Sequence, residues 1–525
     1  NKKTNRNSGH THARLYWFGY FARSSFDPTK KESIEPAFYA VDAAQIDEAC
    51  RLAQAAFDPF RATSDEQRAQ FLETIAQQII ELGDALIERA MAESGLPRVR
   101  LEGERGRTVT QLKLFADLLR EGSWRDVRID AALPERQPPR PDLRMQLIGL
   151  GPVAVFAASN FPLAFSVAGG DTASAFAAGC PVVLKAHFAH PGTSELVAQA
   201  IAKALKLCQL PAGVFSMLSG IGNELGQALV RHPAIQAVGF TGSRQGGIAL
   251  MQTAATRVQP IPVYAEMSSI NPVFLLPHAL ANRGNEIAAG FAAALTMGVG
   301  QFCTNPGLVL GIEGVDFDHF AAQAAQALAT AQPGTMLTPG IASSYQTGVA
   351  TMAQQADVST IINTPIEQGK GGPALFTTSG KVFLARTELH HEIFGPASIF
   401  VACKDVDEMR QVAESLEGQL TATLQMDEAD TIVAGQLLPV LERKVGRILV
   451  NGFPTGVEVV SSMVHGGPFP ATSDGRSTSV GTAAIHRFLR PVSYQNMPQA
   501  LLPQALQEDN PLGIWRRRDG ALTRQ

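Results

Sequence analysis

Val153-Ala154-Val155-Phe156-Ala157, the alanine- and glycine-rich run 168–178, and Val182-Val183-Leu184-Lys185 read as strand, helix and strand. The two apolar runs are short and valine-rich, and small residues between them let a helix lie close on a sheet. The alternation continues outward, with a helix over 195–207 and strands at Val214-Phe215-Ser216-Met217-Leu218 and Ala237-Val238-Gly239-Phe240. Strands that alternate with helices build a parallel sheet whose ligands sit at the strand C-terminal ends. A second centre of alternation follows Glu266. It comprises Asn271-Pro272-Val273-Phe274-Leu275, a helix over 287–297, Leu308-Val309-Leu310, a helix over 317–329 and Ile448-Leu449-Val450-Asn451. The fold class is therefore α/β, with two Rossmann-like parallel-sheet domains.

Upstream, 42–120 is helical. Ile46, Ala49, Ala53 and Ala56, then Phe71, Leu72, Ile75 and Ile79, recur mostly at three-to-four-residue spacing, broken by Gly83 and Gly95-Leu96-Pro97. The run 132–141 is too proline-rich for a central strand or a helix interior and reads as an excursion from the core. The stretch 488–503 has strand character in part, and Trp515-Arg516-Arg517-Arg518 makes a basic end. At the other end, 1–14 is basic and polar and 15–21 aromatic. That apolar core is too short for a secretory signal, so a peripheral strand or a remnant foreign to the fold is expected.

Of 525 residues, 45% are hydrophobic and only 18% charged, which fits large buried cores and excludes a disordered chain. A net charge of −4 makes no electrostatic case for nucleic acid or an anionic membrane as partner. The most apolar stretches, such as 287–300, fall short of the ~18 uninterrupted apolar residues of a membrane span. Five scattered cysteines (Cys50, Cys180, Cys208, Cys303, Cys403) form no CxxC or zinc-spaced cluster. Free thiols, a reducing cytoplasm and no metal are expected.

Gly300-Gln301-Phe302-Cys303-Thr304-Asn305 places one cysteine after a glycine turn, and Glu266 ends the apolar run 261–265. A thiol and a carboxylate on separate elements can supply a nucleophile and a base that activates water. Each also has a structural reading: Cys303 as a buried small apolar residue, Glu266 as a hydrogen-bonded strand end. Asn160, in Ser159-Asn160-Phe161-Pro162, ends a buried strand, where its amide suits an oxyanion or an Asx turn. Lys185 ends the next strand and meets either a ribose or phosphate, or solvent. Phe240-Thr241-Gly242-Ser243-Arg244 closes a strand and opens a helix, an anion site or an ordinary N-cap. No histidine neighbours Cys303 in sequence, which counts against a thiol hydrolase without cofactor.

With Glu392-Ile393-Phe394-Gly395-Pro396, these segments resemble, in order and over about residues 30–495, the aldehyde dehydrogenase superfamily. The resemblance implies that Cys303 attacks the aldehyde and that Asn160 and the Cys303 amide hold the oxyanion. Glu266 would activate the water that hydrolyses a thioester. It also implies NAD or NADP as cofactor. Lys185 would meet the adenosine ribose or its phosphate, Ser243 the pyrophosphate and Glu392 the nicotinamide ribose beside Phe394. Ser159, His187 and Phe240 would complete that site. The chain would divide into a cofactor domain (1–128 and 148–266), a catalytic domain (267–480) and a small oligomerisation strand domain (129–147 and 481–525). A homodimer or homotetramer follows.

Three departures narrow the reading. Ser159 stands where this family usually has Trp, and Glu266-Met267-Ser268-Ser269-Ile270 where E-L-G-G-K is common. Lys185-Ala186-His187-Phe188 replaces K-P-A-E, so the acid that often holds the ribose 2′-hydroxyl is missing, which tilts the balance towards NADP. These variants, with His190-Pro191-Gly192-Thr193 and Asn451-Gly452-Phe453-Pro454-Thr455-Gly456-Val457, resemble the α-ketoglutaric semialdehyde (2,5-dioxopentanoate) dehydrogenase group. The NADP-dependent fatty aldehyde dehydrogenases are its neighbours. The first group implies a small aldehyde acid oxidised to 2-oxoglutarate. Its carboxylate would be met by a cation such as Arg107 or Arg105, unless that helix face is simply solvated. The second implies a long-chain aldehyde in a tunnel of Phe165, Phe302 and Phe453, unless these are ordinary core. A third reading is a non-catalytic scaffold, against which Cys303, Glu266, Asn160 and Glu392 stand together.

Overall fold

The computed structural model describes residues 15–16 and 22–525. Its first sheet has six parallel strands, in the order Leu15–Tyr16, Phe215–Leu218, Val182–Lys185, Val153–Phe156, Ala237–Thr241 and Val263–Glu266. The register sets Phe156 beside both Lys185 and Phe240, and Glu266 beside Thr241. Residues expected to carry chemistry thus share one edge, at the strand C-terminal ends. The helix expected over 168–178 spans Gly170–Ala177 and buries Phe176 together with Ala173, Ala175 and Ala177, the small alanines letting it lie close to the sheet. Of the aromatic N-terminal stretch, Leu15–Tyr16 forms an edge strand; 1–14 and 17–21 lie outside the described residues.

The helical 42–120 region resolves into Ala43–Arg61, Asp65–Glu81, Gly83–Ser94 and Arg98–Glu121. Asp42 with Gln45, and Ser64 with Gln67, form reciprocal capping boxes that satisfy the first amides of two of them. Gly95, at φ 70°, ends the third in a left-handed turn that a side chain would strain. Phe60, Phe71 and Phe176 meet edge-on or tilted at 5.2 to 6.1 Å, joining these helices to the sheet in one core.

A second sheet has seven strands: Ser359–Asn363, Ala374–Ser379, Ala397–Cys403, Leu308–Ile312, Val273–Leu275, Gln419–Gln425 and Val445–Val450. All run parallel except the edge strand Ser359–Asn363. A third sheet of five short strands combines Leu489–Gln495, Leu143–Gly149, Arg128–Asp130, Arg516–Arg518 and Ala521–Thr523. The proline-rich run lies between two of its strands, closed by a single bridge between Leu133 and Arg140. Among the described residues no helix is long and apolar enough to cross a membrane.

The helix that follows Lys185, Pro191–Leu207, starts on a buried carboxylate. Glu93 accepts from the amides of Gly192 and Thr193 at 2.8 Å and from Thr193 Oγ1 at 2.7 Å, and pairs with Arg89 at 2.9 Å. A buried acceptor with this many donors is expensive to remove, because each donor is left dry. Glu93→Ala should destabilise the protein by about 3 kcal/mol. A thermal melt unchanged within a degree would show that the carboxylate is replaceable.

Candidate active site

Cys303 lies in a turn between the short 3-10 helix Met297–Gly300 and the strand Leu308–Ile312. The turn is forced. Gly298, Val299 and Gly300 are all left-handed, and a Cβ on Gly300 would come within 2.4 Å of the backbone at Gly395 and Pro396. Left-handed Val299 is strained and persists only where surroundings over-determine it. Those surroundings are amides: Asn271 Nδ2 donates to the carbonyls of Cys303 and Asn305 at 2.9 Å, and Asn305 Nδ2 to that of Gly395 at 3.1 Å. Leu337 N donates to Gln301 Oε1 at 2.9 Å. Asn160 is brought to the same loop, its Nδ2 donating to the Gln301 carbonyl at 3.2 Å.

Glu266 is buried at its strand end and accepts from Ser479 Oγ at 3.2 Å. Its other oxygen lies 3.1 Å from Nε2 of His465, a buried residue 3.4 Å through the same nitrogen from Cys303 Sγ. Sequence reading missed His465. It sits in coil, and its one local signal is the pair of glycines after it, Gly466-Gly467. Burial and the Glu266 carboxylate push the Cys303 thiol well above its ordinary value. Burial alone would raise the Glu266 carboxyl too, but the charge and hydrogen bond of His465 outweigh it and hold it down. Thiol, imidazole and carboxylate are therefore one coupled set.

Cys303 and His465 open onto a cavity of about 340 Å³. Phe161, Phe165 and Phe302 form an aromatic wall, with ring centroids 5.2 and 5.6 Å apart in successive pairs. The helix Arg98–Glu121 forms another and includes Gly103, where an added Cβ would meet no atom within 4 Å. From that helix the Arg107 guanidinium sits 5.4 Å over Phe161 and 5.2 Å over Phe165, with its buried Nε and Nη2 unpaired by any acceptor among the described residues. Burial lowers its affinity for a proton, against the pull of Glu104 and Cys303. Glu104, one turn earlier, pins the Asn160 loop by accepting from Leu163 N at 2.8 Å and Ala164 N at 2.9 Å. Arg105 points elsewhere and donates to the Gly83 carbonyl. Phe453 also departs from expectation: it packs on Phe291 in the core beneath the second sheet and does not line this cavity. Thr455 and Val457 line it instead, on a loop held by Arg447 through the carbonyls of Pro454 and Gly456.

On the other side of Cys303, Glu392 and Phe394 line a narrow cleft with Ser269 and Gly300. Burial pushes the Glu392 carboxyl up to about 8, partly offset by the Ser269 amide and Arg244. Lys185 Nζ meets a neighbouring carbonyl at 3.3 Å, and burial brings it down to about 8. Ser243 caps the helix Arg244–Ala255 by accepting from Gly246 N. Phe240 packs against Gly242 and Gly246, where a Cβ would crowd its ring. His187 is stacked on Phe188 and His190, and burial pulls its ring well below the usual range, so it offers no cation. Ser159 follows the strand Val153–Phe156 on the same edge. A helix N-terminus, a half-buried ammonium with no carboxylate partner among the described residues, and a cleft carboxyl pushed up to about 8 fit a dinucleotide.

Residues 22–490 match the model of the aldehyde dehydrogenase family. The chain is 61% identical over 500 residues to alpha-ketoglutaric semialdehyde dehydrogenase 2 of Azospirillum brasilense, covering 94% of this chain and 95% of that one. It is 52% identical over 496 residues to alpha-ketoglutaric semialdehyde dehydrogenase of Acinetobacter baylyi, covering 93% and 94%. Among solved structures, aldehyde dehydrogenase C of Pseudomonas syringae, with NAD+ and octanal, shares the fold at a TM-score of 0.78, 23% identity and coverage of 95% and 100%. A glyceraldehyde-3-phosphate dehydrogenase of Methanocaldococcus jannaschii, complexed with NADP, does so at 0.77, 20%, 90% and 98%. The match over most of the chain makes this protein a member of the aldehyde dehydrogenase family.

Proposed function

We propose that the protein oxidises 2,5-dioxopentanoate to 2-oxoglutarate with NAD or NADP, using Cys303 as nucleophile. The observation that carries the substrate is Arg107. A guanidinium with unpaired buried donors, on the same cavity as Cys303, is suited to a carboxylate at the far end of a short aldehyde acid. The two close relatives carry the name of that activity. The aromatic wall supports a second reading, a long-chain fatty aldehyde. Turnover of 2,5-dioxopentanoate and of a fatty aldehyde, compared by kcat/KM, decides between them.

In this mechanism Cys303 Sγ adds to the aldehyde carbon while its proton goes to the Glu266 carboxylate, with which the thiol is hydrogen-bonded. His465 donates through Nε2 to that carboxylate and holds it beside the sulfur, and Glu266 passes the proton to solvent before the hydrolysis step. The developing oxyanion is met by Asn160 Nδ2, released from the Gln301 carbonyl, and by the Cys303 amide. Lys185, Ser243, Glu392 and Phe394 would hold the dinucleotide, which supplies the hydride acceptor when bound. Glu266 then takes a proton from the water that hydrolyses the Cys303 thioester. In an oligomer, the third sheet would supply the strands that join subunits.

Three tests follow from these roles. Arg107→Met should lower kcat/KM for 2,5-dioxopentanoate by about 10- to 100-fold and leave an uncharged aldehyde within about threefold. Equal losses on both would remove Arg107 from substrate recognition. His465→Gln should lower kcat by about 100-fold without raising KM for the cofactor; wild-type turnover would remove the imidazole from the chemistry. If Lys185 meets a 2′-phosphate, its ammonium works below about pH 8 and is lost above. The ratio of kcat/KM for NADP over NAD should then fall with rising pH beyond that point, the ratio cancelling titrations at Cys303. A flat ratio would place the phosphate elsewhere.

A further inference from the structure

Sequence spacing offered no metal site, yet the fold brings together three side chains of the kind that hold one. Cys303, His465 and Glu266 each present a ligand atom, and these atoms all lie within 4.8 Å of one another. Zinc binds thiolate sulfur at about 2.3 Å, imidazole nitrogen at about 2.0–2.1 Å and carboxylate oxygen at about 2.0–2.2 Å. A tetrahedral angle at the metal then separates sulfur from nitrogen by about 3.5 Å and nitrogen from oxygen by about 3.3 Å. The contacts here are 3.4 and 3.1 Å, so the imidazole already stands at a ligand's distance from both partners. The sulfur and the carboxylate oxygen lie within 4.8 Å of each other. The other Glu266 oxygen gives up a single 3.2 Å bond from Ser479.

We propose that Cys303, His465 and Glu266 bind zinc(II), and that zinc held there reversibly blocks the enzyme. Sulfur and imidazole ligands favour zinc over magnesium or calcium, which prefer all-oxygen shells. Cys303 and His465 face the cavity, which leaves a fourth position for water and provides a route of entry. Thiolate and carboxylate balance the two metal charges. The Arg107 guanidinium on the same cavity opposes the cation, as does Arg487 beyond Glu266, which keeps binding reversible. On binding, the Cys303 proton leaves to solvent and the sulfur lone pair goes to the metal. No electrons are transferred, but the sulfur can no longer add to an aldehyde. The block rests on Cys303 being the nucleophile; metal binding itself does not.

The test titrates the purified full-length chain with zinc for turnover, and with cobalt(II) for the near-ultraviolet thiolate-to-cobalt band. Zinc should remove turnover, EDTA should restore it, and one equivalent of cobalt should produce the band. Cys303→Ser and His465→Phe should each lose the band, and Glu266→Gln should keep it with metal affinity weakened more than ~10-fold. Circular dichroism establishes that the variants are folded. A band surviving in folded Cys303→Ser or His465→Phe would put the metal elsewhere and overturn the proposal, as would a wild type without a band. A wild-type band without any aldehyde turnover would keep the metal site and sink the proposed reaction instead.

Discussion

One buried amide holds the two halves of the active site in place. Asn271 is fully buried, with a left-handed backbone at φ 48°, between the strand that ends at Glu266 and the strand Val273–Leu275. Its Nδ2 fixes the carbonyls of Cys303 and Asn305, while its Oδ1 accepts from Ser269 and Thr421 hydroxyls. Nearby, Gln419 Oε1 accepts from Ile270 N at 2.7 Å. A dry amide of this kind is worth much only when every bond is made, which ties the cysteine turn to two strands at once. The strain at Val299 persists because this network leaves the turn nowhere else to go.

The electrostatics around the sulfur work against its reactivity in the free protein. Burial and the Glu266 carboxylate keep the thiol neutral, and a neutral thiol resists oxidation. Glu392, pushed up to about 8, carries little charge at neutral pH and adds little to the local negative field. The site thus holds several acids close together without several negative charges.

Much of this was legible in sequence, because parallel sheets announce themselves as short apolar runs and place chemistry at strand ends. Glu266, Asn160, Lys185 and Ser243 all terminate such runs. The strand Gln419–Gln425 escaped that signal because polar residues alternate along it, yet all seven residues are buried, with the Gln419, Thr421 and Gln425 side chains hydrogen-bonded within the core. Arg105 and Arg107 were indistinguishable because two residues turn a helix by about 200°, so only one can face a given cavity. Phe453 had no periodic context to show which side it faced. His465 is 199 residues from Glu266 in a segment without period, and only the folded chain places it.

The bare wall at Gly103 has a bearing on how this scaffold can change over evolutionary time. Glu104 and Arg107 on the same helix are each committed, one to the Asn160 loop and one to the cavity, whereas a Cβ on the neighbouring glycine would meet no atom within 4 Å. A side chain grown at that position would occupy the cavity without disturbing the loop that carries Asn160. Acyl length and shape can therefore drift at a single site, by filling or emptying space, while the machinery around the sulfur stays intact.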